Sequence, residues 1–328
     1  MITSESTTIS DTGYIKICSG DISDRPINLS PGLIRYNTEL RCVEWYNGTR
    51  WINPSTGNPP YFKDDLVLHW NFFAATAIFD PTTNRVDDLS RNRYTGLLVG
   101  TNVSINIFSP PTTPGIPALQ FNGTDPGTDT GVYIKKLNYV SGASDQINNL
   151  TIEVWLRNTS GTVPHGAPED ERIIMSFDRS SVFRFSIGSG NIVGSAGKPS
   201  FSFTYTDGGS GEVIVDDYAS SYAGNLRDNT WHQLVVTWTT SQIQYYLDGV
   251  GIHTTSGSYQ PIGSQLDGTE TPRYGWVGSG SEATTEGGTA TPRDTFYGYI
   301  SILRMYYRAL TEEQIVANFN AHRDIFGI

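Results

Sequence analysis

Cysteine is almost missing from this chain: there are two in 328 residues, Cys18 and Cys42, both near the start. So sparse a set, with no Cys-x-x-Cys spacing, excludes a disulfide-stapled mini-fold and a thiolate metal centre. Two free thiols of a reducing cytosol is the plainer reading, with a single Cys18–Cys42 bond as the other. Charge is scarce too, at 17% Asp, Glu, Lys and Arg, and it is lopsided, with a net charge of −11. No Lys/Arg cluster interrupts that balance. This argues against a nucleic-acid footprint and against attraction to anionic lipid. No apolar run approaches the roughly 20 residues that a membrane-spanning helix needs. The opening MITSESTTIS has neither the positive nor the apolar region of a secretory signal, so a mature cytosolic product is expected. The sequons at Asn47 and Asn122 then read as turn composition.

What the chain does have is aromatic and apolar residues, at 12% aromatic and 37% hydrophobic, enough for a sizeable core. Its length favours one large domain plus an appendage, or two domains. Residues 1–60 form the appendage. There GLIRYN and CVEWYNG read as a hairpin, and the Pro/Gly/Asn-dense Asn53–Pro60 reads as a linker. Residues 61–328 read as strand after strand, punctuated by Gly, Asn and Asp, which implies an antiparallel sandwich or barrel. In NLTIEVWLRN, Ile152, Val154 and Leu156 share one face and Thr151, Glu153, Trp155 and Arg157 the other. Trp155, Trp231 and Trp238 lie in strong strands and are assigned to the core. One helix is expected after Thr311, which caps it with Gln314 as a capping box; Ile315 and Phe319 share a face, and Gly327 lies past the end. Gly278–Pro292, GSGSEATTEGGTATP, reads as an exposed, mobile low-complexity loop.

The chemistry-bearing residues are weighed next. A retaining glycosidase needs two carboxylates about 5–5.5 Å apart, and Glu-x-Asp-x-x-Glu on one strand would supply them. That pattern is absent. Glu169, Asp170 and Glu171 come nearest, but adjacent strand residues point to opposite faces, so they read as a solvated acidic loop. The five histidines have no metal spacing, and His232 beside Trp231 reads as structural. Nothing resembles a nucleophile elbow or a P-loop. Two loops carry oxygens suited to Ca²⁺: one with Asp87 and Asp88, one with Asp125 and Asp129. The competing reading is an acidic turn in which Asp caps its own backbone. Sugar binding would use aromatics near loops, and the candidates are Tyr218, Tyr222, Tyr259, Tyr274 and Trp276. Core packing or a subunit interface is the competing reading for each.

From about Asp64 to Asp324 the chain resembles the laminin-G-like, concanavalin-A-like superfamily. Four stretches carry the resemblance: LVLHWNFF…VDDLSRNRYTGLL, NLTIEVWLR, NTWHQLVVTW…IQYYLDGV and FYGYISILRMYYRALTEEQI. Their order and spacing match. The resemblance implies an all-β, antiparallel jelly-roll sandwich with a short C-terminal helix. It also exposes a departure. The last strand in many members reads Gly-x-Ile-Asp-Glu-Val-Arg, whereas Ser301 and Ile302 stand where the acids would be. The N-terminal Gly32, Ile34, Arg35, Tyr36, Asn37, Glu44, Tyr46, Gly48 and Trp51 resemble a pattern of bacteriophage tail-fibre and virion proteins. That implies an attachment or oligomerisation segment using Ile34, Tyr36, Trp45, Tyr46 and Trp51. It would be completed by copies of itself, as a trimer, or by other virion proteins. The leading expectation is therefore a non-enzymatic virion protein: a fibre, knob or capsid decoration displaying the sandwich. The alternative is an adhesin for host surface glycans, aided by Ca²⁺. A polysaccharide-degrading enzyme is third.

Overall fold

A computed structural model of the chain describes residues 17–21, 24–26, 30–38, 42–46, 48, 51–52, 63–73, 79–80, 82–100, 103–108, 116–122, 131–140, 146–159, 171–178, 182–188, 194–206, 212–263, 272–288 and 290–328. The chain divides into two compact units, Met1–Tyr61 and Phe62–Ile328. The Asn53–Pro60 segment, read as a linker, lies outside the described residues.

The first unit holds a four-stranded sheet in the order Ser19–Gly20, Ile34–Asn37, Cys42–Tyr46, Trp51–Ile52. The expected hairpin is its centre, with Ile34 opposite Trp45 and Tyr36 opposite Val43. Cys18 is an exposed free thiol.

The second unit is a sandwich of two antiparallel sheets. The first runs Val250–Ser256, Gln242–Leu247, Trp231–Thr239, Asn149–Asn158, Tyr297–Tyr306, Ile116–Asn122, Val103–Phe108, and Leu66–Asn71 also pairs with Tyr297–Tyr306. The second runs Glu212–Tyr218, Pro199–Thr206, Phe183–Ile187, Arg172–Ser176, Pro272–Val277, Gly131–Val140, Thr95–Val99, Arg85–Val86, Phe79–Asp80. Alternation puts one face of each sheet inward. Ile152, Val154, Leu156, Leu234, Val236 and Trp238 of the first sheet share a core with Phe183, Phe185, Phe201 and Phe203 of the second. Phe203 and Trp238 meet edge-on across it, centroids 5.5 Å apart.

The first sheet is buried on its other face as well, because the C-terminal helix Glu312–Phe326 lies there. Thr311 and Gln314 form the expected capping box, and Gly327 ends the helix in a left-handed conformation at φ 74°. Ile315 packs with Val235, Tyr246, Tyr306 and Leu310. Phe319 and Phe326 stack on Trp155 at centroid distances of 5.8 and 4.3 Å. Trp155 and Trp231 are therefore buried under the helix, whereas Trp238 is an inter-sheet residue.

A polar cluster sits beneath the same helix. Glu153 Oε1 accepts from Arg304 Nη1 at 2.9 Å and from Gln233 Nε2 at 2.9 Å, while Oε2 accepts from Asn318 Nδ2 at 2.7 Å. Arg304 Nη2 lies 3.2 Å from His322 Nε2, and His322 Nδ1 lies 3.0 Å from Asn318 O. Arginine only donates, so His322 accepts at Nε2 and donates at Nδ1.

One expected loop is structured. Ser279–Ser281 pairs antiparallel with Ala290–Thr295, and the base of this ribbon is buried. Ser281 N donates to Ser176 Oγ at 3.2 Å, and Ser281 Oγ donates to Tyr274 O at 2.7 Å. Those bonds satisfy the backbone of a sequence too poor in apolar residues to signal a strand. Where acids were expected in the last strand, Ser301 Oγ donates to Pro117 O at 2.7 Å and Ile302 joins the Trp155–Phe326 group.

Candidate functional site

A concave pocket opens where several segments of the sandwich converge. Its described lining is Tyr94, Leu137, Asn138, Tyr139, Gln146, Ile147, Asn148, Asn149 and Tyr307, around about 380 Å³. Four separate devices hold it. The Gly131–Val140 strand delivers Leu137, Asn138 and Tyr139, after Lys136 turns into positive φ (68°) and shifts the register between Tyr133 and Asn138. An isolated bridge between Ile147 and Ile262, with N–O distances of 3.1 and 3.0 Å, pins the Gln146–Asn148 turn. Tyr307 follows the last strand, and its N–H donates to Asp65 O at 3.1 Å. Tyr94 is positioned by Asp88, whose Oδ2 accepts its N–H at 2.9 Å.

Inside, buried Leu137 and Ile147 form an apolar wall. Tyr307 O–H donates to Tyr139 Oη at 3.0 Å, and the two rings meet edge-on with centroids 6.5 Å apart. Tyr307 is 45% exposed at the mouth. Burial first, and then the negative charge of Asp88, push the Tyr94 phenol up, so it stays uncharged near neutral pH. Three phenols, four carboxamides and no charged side chain make up the polar lining among the described residues. Carboxamides both donate and accept, and tyrosine rings offer flat apolar faces. That combination suits a polyhydroxylated ligand.

None of these residues was singled out from the sequence. The five aromatics that were singled out do not converge. Tyr274 and Trp276 join Tyr133 in a separate cluster, and Trp276 is only 1% exposed rather than near a loop tip. Tyr222 and Tyr259 pack at the margin of the main core, Tyr259 edge-on to Phe203 at 5.3 Å. Tyr218 lies on an edge strand with Lys198 Nζ 5.7 Å from its ring centre.

The acidic turn at Asp87 and Asp88 is internally satisfied. Asp88 Oδ1 accepts from His69 N and Ser90 N, both at 2.8 Å, and Oδ2 from Ser90 Oγ at 2.6 Å and Tyr94 N. Burial pushes its carboxyl up, and these donors pull the other way. Asp87 pairs with Arg85 at 2.5 Å on the surface. Asp125 and Asp129 lie outside the described residues. No cluster of three or more metal-binding side chains occurs among the described residues. Of the three acids in PEDERI, only Glu171 is described; it bonds Arg184 at 2.6 Å and accepts from Ser186. His232 bridges two loops, with Nδ1 2.7 Å from Asp248 Oδ2 and Nε2 2.9 Å from Asp228 Oδ2. Burial lowers its pKa, but the two carboxylates outweigh burial and raise it.

In the first unit the five proposed attachment residues fall on opposite faces. Pairing places Ile34, Tyr36, Val43 and Trp45 on one face, where Ile34 is 56% exposed. The other face is ionic. Arg25 Nη2 meets Glu44 Oε2 at 2.7 Å, and Arg35 and Asn37 approach the same carboxylate at 3.7 and 3.3 Å. Trp51 is buried there with Arg25 and Arg35 5.8 and 6.0 Å from its ring centre, and Tyr46 packs on it.

Residues 126–316 match a laminin-G-type family model described as the concanavalin A-like lectin/glucanases superfamily. The chain is similar to the neuronal pentraxin receptors of human and mouse, at 26% and 25% identity over 117 residues. Each match takes in 35% of this chain, and it spans 22% of the curated relative's length. Among solved structures, the binding domain of Paraclostridial Mosquitocidal Protein 1 is similar in fold. The TM-score is 0.51 at 15% identity, covering 79% of this chain and 53% of that one.

Proposed function

The chain belongs to the concanavalin A-like lectin/glucanases superfamily, and from the likeness of its N-terminal segment to virion proteins we propose that it is a non-enzymatic attachment protein of a bacteriophage virion. Its sandwich recognises host surface glycans, and its first unit fixes it to neighbouring virion proteins or to its own copies. The tyrosine–carboxamide pocket carries this reading: it has the aromatic faces and two-way hydrogen bonders that sugar recognition uses. A matched structure that is itself the binding domain of a larger protein is in keeping with it. So is the employment of Glu171 in an ion pair with Arg184, which leaves that carboxylate occupied structurally. The face with exposed Ile34, Tyr36 and Val43 and half-buried Trp45 is the anchoring surface in this reading. Asp88 serves as a structural staple.

Binding of labelled full-length protein to intact host cells, with and without a chelator, tests the proposal. Saturable binding that Tyr307→Ala abolishes is expected. A folded protein that binds no host cells would overturn the glycan reading and leave a purely structural decoration. Release of reducing ends or unsaturated products from host polysaccharide would overturn the non-enzymatic part.

A further inference from the structure

The pocket's chemistry also selects among glycans, a step that rests on the glycan-binding reading above. We infer that it takes a terminal, uncharged sugar ring and discriminates against sialic and uronic acids. A carboxylate-bearing sugar needs cationic donors, above all a bidentate arginine. The described lining offers none: its polar groups are the Asn138, Gln146, Asn148 and Asn149 amides and three phenols. Nearby basic residues in the sequence do not supply one. Lys135 and Lys136 are exposed and outside the lining, and Arg308 lies 3.9 Å from Asp65. Asp88 accepts the Tyr94 N–H, so a negative group already stands beside the lining. A chain of net charge −11 repels an anionic glycan at long range as well.

Neutral sugars meet the opposite situation. Each hydroxyl both donates and accepts, as each carboxamide does. The half-open ring of Tyr307 gives the C–H face of a pyranose a platform at the mouth. At about 380 Å³ the pocket is near the lower end for ligand sites, which favours a terminal residue over an extended polymer.

The test uses full-length protein and paired oligosaccharides that differ only in a terminal neutral hexose or a terminal sialic or uronic acid. Affinities are measured by titration calorimetry at two salt concentrations. Tyr307→Ala and the loop variant Asn148→Ala are run alongside, with folding checked by near-ultraviolet circular dichroism. The expected result is at least about tenfold preference for the neutral partner, insensitive to salt and lost in both variants. Preference for the acidic partner, lost in the same variants, would overturn the inference while leaving the pocket as the glycan site. Sugar binding untouched by either folded variant would remove the pocket from both readings. Absence of binding to every sugar would overturn the glycan reading and this inference with it.

Discussion

Replacing Glu153 with alanine should loosen the sandwich at the place where its helix is docked. Glu153 is 1% exposed and accepts from three side chains of three other elements: Arg304, Gln233 and Asn318. Arg304 is fully buried beside it. Removing the carboxylate takes the anion from that guanidinium and one acceptor each from the Gln233 and Asn318 amides, of which Asn318 keeps Tyr306 Oη at 3.4 Å. Breaking a buried ion pair from one side costs about 3–5 kcal/mol. Taking about 4 kcal/mol, and a urea slope of about 3 kcal/mol per molar, the midpoint should fall by about 1.3 M. Urea denaturation followed by tryptophan fluorescence reads this directly, since Trp155 sits between the cluster and the helix. The coupling is tested by removing both charges together. Glu153→Leu with Arg304→Met should regain most of the loss, because apolar residues can replace a buried pair at little cost. A Glu153→Ala penalty under about 1 kcal/mol, or a double variant no better than the single, would refute the view that this carboxylate balances Arg304.

Two further outcomes are expected. Stability should peak near the ordinary histidine pKa of 6.5, because two histidines act in opposite directions. Buried His69 is held well below that value, by burial first and then by the charge of Arg304, so stability is lost as pH falls below 6.5. His232 is raised by Asp248 and Asp228, so its contribution is full below 6.5 and lost as pH rises through its folded pKa; His232→Asn should flatten only this alkaline limb in urea midpoints measured across pH. Asp88→Ala should cost about 2–4 kcal/mol in the same assay, since three backbone N–H groups lose one acceptor. It should also weaken ligand binding through Tyr94, and a chelator should not reproduce either effect.

The sandwich was legible where alternation and capping chemistry agreed. Ile152, Val154 and Leu156 face the inter-sheet core, and the opposite row, Thr151 to Arg157, faces away from it, as their spacing requires. Thr311 and Gln314 mark the helix to the residue. Gly131–Val140 was not legible, because two consecutive lysines and the positive-φ Lys136 break its alternation. That strand supplies three pocket residues, so losing it hid the pocket. The ribbon at Ser279 was missed for a related reason: Ser281 is held by hydrogen bonds to Ser176 and Tyr274, which leave no apolar pattern in the sequence. The pocket's tyrosines and amides come from segments far apart in the chain, with no fixed spacing between them. Exposure was equally hidden, since Trp276 lies near a loop in sequence yet is buried against Tyr133.

The first unit shows why an aromatic count cannot define a surface. Its strands alternate as any strand does, but aromatics occur at both parities: Tyr36 and Trp45 on one face, Tyr46 and Trp51 on the other. What separates them is charge. Arg25, Arg35 and Glu44 lie on the Trp51 side, and Glu44 and Arg35 are buried there. In so small a unit an unpaired buried carboxylate would be ruinous. The ionic face must therefore stay closed on itself, with Trp51 as the lid over both guanidiniums. Trp51 and Tyr46 are thereby committed to holding the sheet together. The opposite face carries Ile34, Tyr36, Val43 and Trp45 among the described residues. In the proposed attachment role, a partner there would be recognised by shape and apolar burial rather than by ion pairing, and the contact would be insensitive to salt.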